Sequence, residues 1–192
     1  MCTRHNQRGI SLIELIMFIV IVSVALAGIL LVLNVTTKSS ADPLVHKQAL
    51  AIAEALLEEV ELMPFTYCEP DDATASTATS ATVGTGACTA QVETMGPEAG
   101  ETRYAAPNFD NVNDYDGFTM NAGNGGIKDI TNAAITALSG YSASIVVTKN
   151  GLALGLPTDD VALLITVTVT GADGLPVVME GIRTRYSPKD VP

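Results

Sequence analysis

Glu14 stands where its charge needs a partner. It heads an apolar run in which residues 15–33 pass nineteen positions without a charge, interrupted only by Ser23 and Gly28. A charged side chain inside such a helix costs about 2.5–3.5 kcal/mol on insertion scales, so a carboxylate there implies both a partner and a purpose. Five positions before it lies Gly9, and the polar segment ahead of Gly9 carries Arg4, His5 and Arg8. A second acidic set, Asp110, Asp114 and Asp116, lies in an Asp/Asn-rich stretch bracketed by Phe109 and Phe118. Oxygen-bearing side chains at alternating positions suit a hard cation such as calcium. The EF-hand spacing nevertheless fails, because Val112 stands where its first aspartate belongs. The same residues also read as an Asx-rich turn anchored by the two phenylalanines. Both readings stay open, and Asp71 and Asp72 would add oxygens if the two loops met. His46 sits in a helical pattern without any nucleophile motif beside it, and neither a P-loop nor a dinucleotide fingerprint occurs. No enzyme is expected, and no cofactor other than the calcium considered at the aspartates.

Composition narrows the classes further. With 47% hydrophobic and 16% charged residues among 192, the chain is no disordered or strongly charged linker. Ten Lys and Arg against 21 Asp and Glu give a net charge of −11, which excludes the basic surface that nucleic acid requires. Tryptophan is absent and aromatics are 5%, so a stacking platform for sugars or single strands is not expected. The apolar run measures about 28 Å as a helix, close to the ~30 Å hydrocarbon core of a bilayer. Arg4 and Arg8 hold the leader on the cytoplasmic side, so the residues after Asn34 are expected to be exported. A plain anchor and a Sec-type signal peptide cut near Ala25, Leu26 and Ala27 both begin this way, and a third reading turns on Gly9 and Glu14. The signal-peptide reading must explain a run that continues to Leu33 and a carboxylate at Glu14.

The elements that position these groups can be read in turn. Asn34 to Asp42 is polar and Pro43 follows, which predicts a bend or short break around residues 41–43. An amphipathic helix is expected over residues 43–63, with Leu50, Ala53, Leu56, Leu57 and Val60 inward and Glu54, Glu58 and Glu61 outward. Joined to the apolar run, residues 10–63 would make a rod about 80 Å long. Its outer half must lie on a sheet. Strands are expected over residues 142–149, 162–170 and 177–186, with the last two joined by a turn through Gly171, Ala172, Asp173 and Gly174. Residues 129–138 read as a short helix with Ile130, Ala134 and Leu138 on one side. The expected fold class is α+β, a long N-terminal helix packed on an antiparallel sheet.

The basic leader ending in Gly9, the carboxylate at Glu14 and the apolar helix together resemble the type IV prepilin family. The resemblance implies that a membrane-embedded prepilin peptidase cuts after Gly9 and methylates the new N-terminus at Ile10. Ile10 stands where the family more often has phenylalanine. Under this reading residues 1–9 are the leader, 10–34 the transmembrane and filament-core helix, 35–63 its amphipathic outer half, and 64–192 the periplasmic or extracellular head. The new α-amino group, with a reference pKa of about 7.7–8.0, lies one turn from Glu14. An incoming subunit's ammonium and a neighbour's Glu14 would then neutralise each other in the filament core, setting the stacking register.

That cleavage would discard Cys2 and leave Cys68 and Cys88 as an even pair in an oxidising space, which favours a disulfide. A disulfide closing the nineteen intervening residues would contribute roughly 3 kcal/mol on the chain-entropy model. A cysteine metal site lacks a second pair or a nearby histidine. Residues 49–60 look like the helix of minor pilins and type II secretion pseudopilins of the V/I kind. Residues 63–73, 96–101 and 109–118 resemble minor pilin-like proteins of the mannose-sensitive haemagglutinin (MSHA) pilus system of Gram-negative bacteria. The resemblance implies a structural subunit of a pilus used in surface attachment, held in the inner membrane until assembly. Its implied partners are other pilins, through the N-terminal helix, and the inner-membrane assembly machinery. A type II secretion minor pseudopilin and a tip adhesin are the alternatives.

Overall fold

A computed structural model describes residues 11–185, apart from the side chains of residues 35–42. Gly9 and Ile10, and Tyr186 at the end of the last expected strand, lie outside the described residues. Helix α1 spans Leu12–Glu61. The sequence predicts a break near Pro43, but the backbone is helical across it. Proline withholds one amide donor and crowds the carbonyl four residues earlier, yet every other bond of the ladder remains available. The chain divides into two units, residues 1–44 and residues 45–192.

In the first unit the described side chains of residues 11–34 are all exposed. The second unit holds the core. Its sheet has four antiparallel strands in the order β1 (Thr119–Met120), β2 (Ser142–Lys149), β3 (Ala162–Thr170) and β4 (Pro176–Thr184). The three long strands fall within a residue or two of their expected bounds, whereas β1 is too short for any periodic signal. Alternation sets which face is buried. Ala143 pairs with Val169 and Val169 with Val177, while Ile145 pairs with Val167 and Val167 with Met179. These inward rungs meet Ala49, Ala53, Leu56, Leu57 and Val60 of α1 in one cluster. Leu50, expected inside, is only partly buried, whereas its neighbour Ala49 is fully buried in the core. The helix comes close to β4 at Gly181, where an added Cβ would lie 2.9 Å from Leu57 Cδ1 and would also press on the Glu61 carboxylate. The β3–β4 hairpin turns through Gly174 at φ +76°, whose amide donates to the Gly171 carbonyl at 3.0 Å.

Residues 129–138 do not form the expected helix. The Asp129 carboxylate accepts from the Thr131 amide at 2.9 Å, the Thr131 hydroxyl at 2.7 Å and the Ala133 amide at 3.0 Å. A short acidic side chain has captured the amides that a helix would need. Lys128 instead bridges Ala134, Ile130 is exposed, and only Thr136–Leu138 winds into a 3-10 turn.

Between α1 and β1 the chain has little regular structure and is fastened to the helix by a polar clamp. Arg103 is 6% exposed; its Nε donates to Glu59 Oε1 at 2.6 Å and its Nη2 to Oε2 at 2.7 Å. Its Nη1 reaches the carbonyls of Lys128 and Asp129, and the Tyr115 hydroxyl donates to Glu59 Oε1 at 2.9 Å. Burial works to lower the Arg103 pKa, but the hydrogen bond and charge of Glu59 outweigh it and raise it. Removing one partner of a buried pair leaves the other's charge uncompensated. Glu59→Ala is therefore expected to destabilise the fold by about 3 kcal/mol. Urea unfolding of the full chain in detergent micelles, followed by circular dichroism, measures this. A loss below about 0.5 kcal/mol, the range of an exposed pair, would show that the clamp holds nothing.

Candidate functional site

Two regions carry groups that the fold alone does not explain. The first is the start of α1. Leu12–Asn34 is long and apolar enough to cross a membrane, with mean hydropathy 3.2 and none of it buried. The two interruptions are accommodated within the helix. Ser23 donates its hydroxyl to the Ile19 carbonyl at 2.7 Å, and a Cβ on Gly28 would meet nothing within 4 Å. Glu14 lies in the first turn, exposed among Leu12, Ile13, Leu15 and Ile16, with its amide bonded to the Ser11 carbonyl at 3.1 Å. An exposed apolar surface of this length has to be covered by lipid or by other helices, and a carboxylate on it needs a cation.

The second region is built around the Cys68–Cys88 disulfide, with Cα atoms 5.4 Å apart. Both cysteines are fully buried, in a small cluster with Ala75 and Ala78. Asp72 organises the loop they close. Its Oδ1 accepts from the Thr74 and Thr89 amides, and its Oδ2 from those of Ala90 and Gln91 at 2.8 and 3.2 Å. These donors, the Thr74 and Ala90 amides foremost, hold the carboxyl far below its usual range. Asp72 is thus committed to its own backbone. A bridge between Cys68 and Val92 sets Glu69 beside the following strand-like segment, where the Glu69 amide bonds to Gln91 O and the Glu93 amide to Tyr67 O.

That pairing delivers Glu69 and Glu93 to an acidic chamber completed by two turns. Gly96, at φ +84°, donates its amide to the Asn113 carbonyl at 3.1 Å, drawing the turn that carries Glu98 and Glu101 against the 3-10 turn Val112–Tyr115. Asp114 Oδ2 accepts from the Asp110 and Asn111 amides, each at 2.8 Å, and leaves Oδ1 free to face elsewhere. Oxygens of Glu93, Glu98 and Asp114 then lie within 4.8 Å of one another, as do those of Glu69, Glu98 and Glu101. Burial, followed by the neighbouring carboxylates, pushes Glu93 up to about 10 and Glu69 up to about 8. Burial likewise lifts Asp114 to about 7 against its two backbone bonds, and Asp110 to about 6.

Of the aspartates singled out from sequence, Asp114 alone joins one of these groups among the described residues. Asp116 turns to the sheet, where its Oδ1 accepts the Val147 amide at 2.9 Å. Asp110 offers one buried, unpaired oxygen but belongs to neither triad. Phe109 and Phe118 do anchor the turn, packing edge-on with Tyr115 at centroid distances of 5.1–6.3 Å. Sequence reasoning missed Glu69, Glu93, Glu98 and Glu101. Their separations follow no motif: Glu69 lies within the cysteine loop, and Glu93, Glu98 and Glu101 lie between it and the Asx turn.

The Prokaryotic N-terminal methylation motif matches residues 4–30. No curated protein and no solved structure matches the chain. The motif indicates a type IV prepilin-like protein. Its long apolar helix, antiparallel four-stranded sheet and Cys68–Cys88 disulfide are consistent with a type IV pilin-like fold.

The role of Asp72 gives a direct expectation. Asp72→Ala should raise amide hydrogen exchange at Thr89, Ala90 and Gln91 by at least about tenfold while leaving β3 protected. Because the folded pKa is depressed, the carboxylate's contribution is present at neutral pH and is lost only as pH falls below the ordinary aspartate range. Unchanged exchange at those three amides would remove Asp72 from its organising role.

Proposed function

We propose that this chain is a minor pilin-like structural subunit of an MSHA-type type IV pilus, similar to MshD, serving surface attachment rather than catalysis. The observation that carries the reading is the methylation motif over residues 4–30, laid on a helix whose membrane-length segment is wholly exposed. Prepilin peptidase cuts after Gly9 and methylates Ile10. The helix then leaves the inner membrane for the core of a filament, exchanging lipid for neighbouring helices of other pilins. In that core Glu14 pairs with the methylated ammonium of an adjacent Ile10. An ion pair formed in low dielectric rewards one axial stagger and penalises the others, because any slip leaves two unpaired buried charges. The MSHA assignment is supported by the sequence likeness at residues 63–73, 96–101 and 109–118. The same N-terminal chemistry would serve a type II secretion pseudopilin.

Mass spectrometry of the chain from membrane and filament fractions should find an N-methylated Ile10 at its start. A native chain beginning at Met1, or beyond Ala27, would refute the processing. Glu14→Ala should still be cleaved but should enter sheared filaments at least about tenfold less than wild type, the cost of one lost buried charge pair exceeding 1.4 kcal/mol. Deleting the gene should reduce piliation and adhesion; loss of protein secretion with intact pili would move the chain to the pseudopilin class.

A further inference from the structure

The acidic chamber beside the disulfide brings buried carboxyl groups together without a counter-charge paired to them among the described residues. Glu93 is 8% exposed and Asp114 1% exposed. Both carboxylate oxygens of Glu93, Oδ1 of Asp114 and Oε2 of Glu98 are buried without a hydrogen-bond partner. Buried polar atoms are otherwise almost always paired, and one recurring reason for an orphan is an ion at that place. Among the described residues no lysine or arginine forms an ion pair with these groups, since the pair present is Arg103 with Glu59 on the helix. The charge of Glu93 is felt by Arg185, which lies 3.7 Å from the Phe65 ring centroid and 4.0 Å from that of Tyr67 and donates Nε to the Asp160 carbonyl.

We propose that Glu93, Glu98 and Asp114 form a calcium site that locks the disulfide segment to the Asx turn. Glu93 and Glu98 come from one stretch and Asp114 from the Asx turn, and their oxygens already lie within 4.8 Å of one another, close to the separation of two ligands sharing one ion. Calcium takes six to eight oxygens at about 2.3–2.6 Å, and carboxylates that bind through both oxygens reach that number with few residues. Glu93 offers two free oxygens for that purpose, and Glu98, half-buried, opens the site toward solvent. The purely oxygen donor set excludes the soft-metal classes, and magnesium, which prefers an octahedron with several retained waters, suits an enclosed carboxylate site less well. Glu69 and Glu101 lie next to this set through the shared Glu98. Asp114 connects the site to Asp110 and Asn111, so a bound ion draws together residues 69–101 and 110–115.

The full chain in detergent micelles, stripped with a chelator, tests this through its melting temperature. Calcium at about 5 mM should raise Tm by about 5 °C, with a midpoint of about 0.1–1 mM, the range of extracellular calcium modules. Terbium, a calcium substitute, should show luminescence sensitised by Tyr115, adjacent in sequence to Asp114. Glu93→Gln should melt no lower than the stripped wild type, because the buried carboxyl it replaces has no hydrogen-bond partner, and should lose both the Tm shift and the terbium signal. Glu98→Gln, nearer the surface, should lose them as well, whereas Glu54→Gln on the exposed face of α1 should keep them. A wild-type Tm unmoved by calcium, a shift retained in Glu93→Gln, or an equal shift with magnesium would each overturn the site.

Discussion

A single helix must satisfy two surroundings, and everything else in the chain follows from that. From Leu12 to Asn34 every side chain is exposed and nearly every one is apolar. From Val45 onward one stripe disappears into a sheet while the other carries charge. Water tolerates the second arrangement and not the first. The first segment therefore requires lipid or other helices, and a chain that can exchange one for the other needs no new fold to do so. The one carboxylate on that surface, Glu14, requires a cation there, because its unpaired state costs more than any single apolar contact returns.

The outer half of the helix obtains its stability from close approach rather than bulk. Ala49 and Ala53 face the sheet, and Gly181 on β4 has no side chain where Leu57 and Glu61 pass. Small residues on both surfaces bring the backbone layers together. Isoleucines and valines at the middle of β2 and β3 then fill the interior. The segment between α1 and β1 cannot join that core by periodicity, because it has almost none. It is held by discrete contacts: the disulfide, the amides gathered by Asp72, the Arg103–Glu59 clamp, and the aromatic group of Phe109, Tyr115 and Phe118.

Where burial repeats along the chain, the fold was legible. Residues 142–149 and 162–170 are rich in Val, Ile and Thr, the second half of the latter alternates, and the structure pairs Ile145 with Val167 on the buried face. The turn at Gly171–Gly174 and the disulfide were legible for similar reasons, since a tight hairpin and an even cysteine pair leave few alternatives. Residues 129–138 misled because their apolar spacing suits a helix, while Asp129 offers three donors a competing acceptor that no hydrophobic pattern records. Ala41 to Pro43 misled in the opposite sense, because one missing amide need not end a long ladder.

The acidic chamber was illegible for a deeper reason. Asp110, Asp114 and Asp116 drew attention because they cluster in sequence, but in a turn alternate side chains diverge. Asp116 is accordingly spent on the Val147 amide and Asp114 faces the other way. The residues that meet Asp114 come from segments drawn together by the Cys68–Val92 bridge and by the bond from Gly96 to Asn113. Both contacts are long-range, and the partners Val92 and Gly96 carry no signal in the sequence. Carboxylates gathered this way repel one another in the folded state and are far apart in the unfolded one, so the arrangement opposes folding unless something neutralises it. Protons can do so for Glu93 and Glu69, whose pKa values burial has raised into or above the neutral range. A proton, however, satisfies one carboxyl at a time, whereas a divalent ion between Glu93, Glu98 and Asp114 satisfies three and ties their segments together. The proposed cation is thus the neutraliser that also accounts for the convergence of oxygens from residues 93–98 and from the Asx turn.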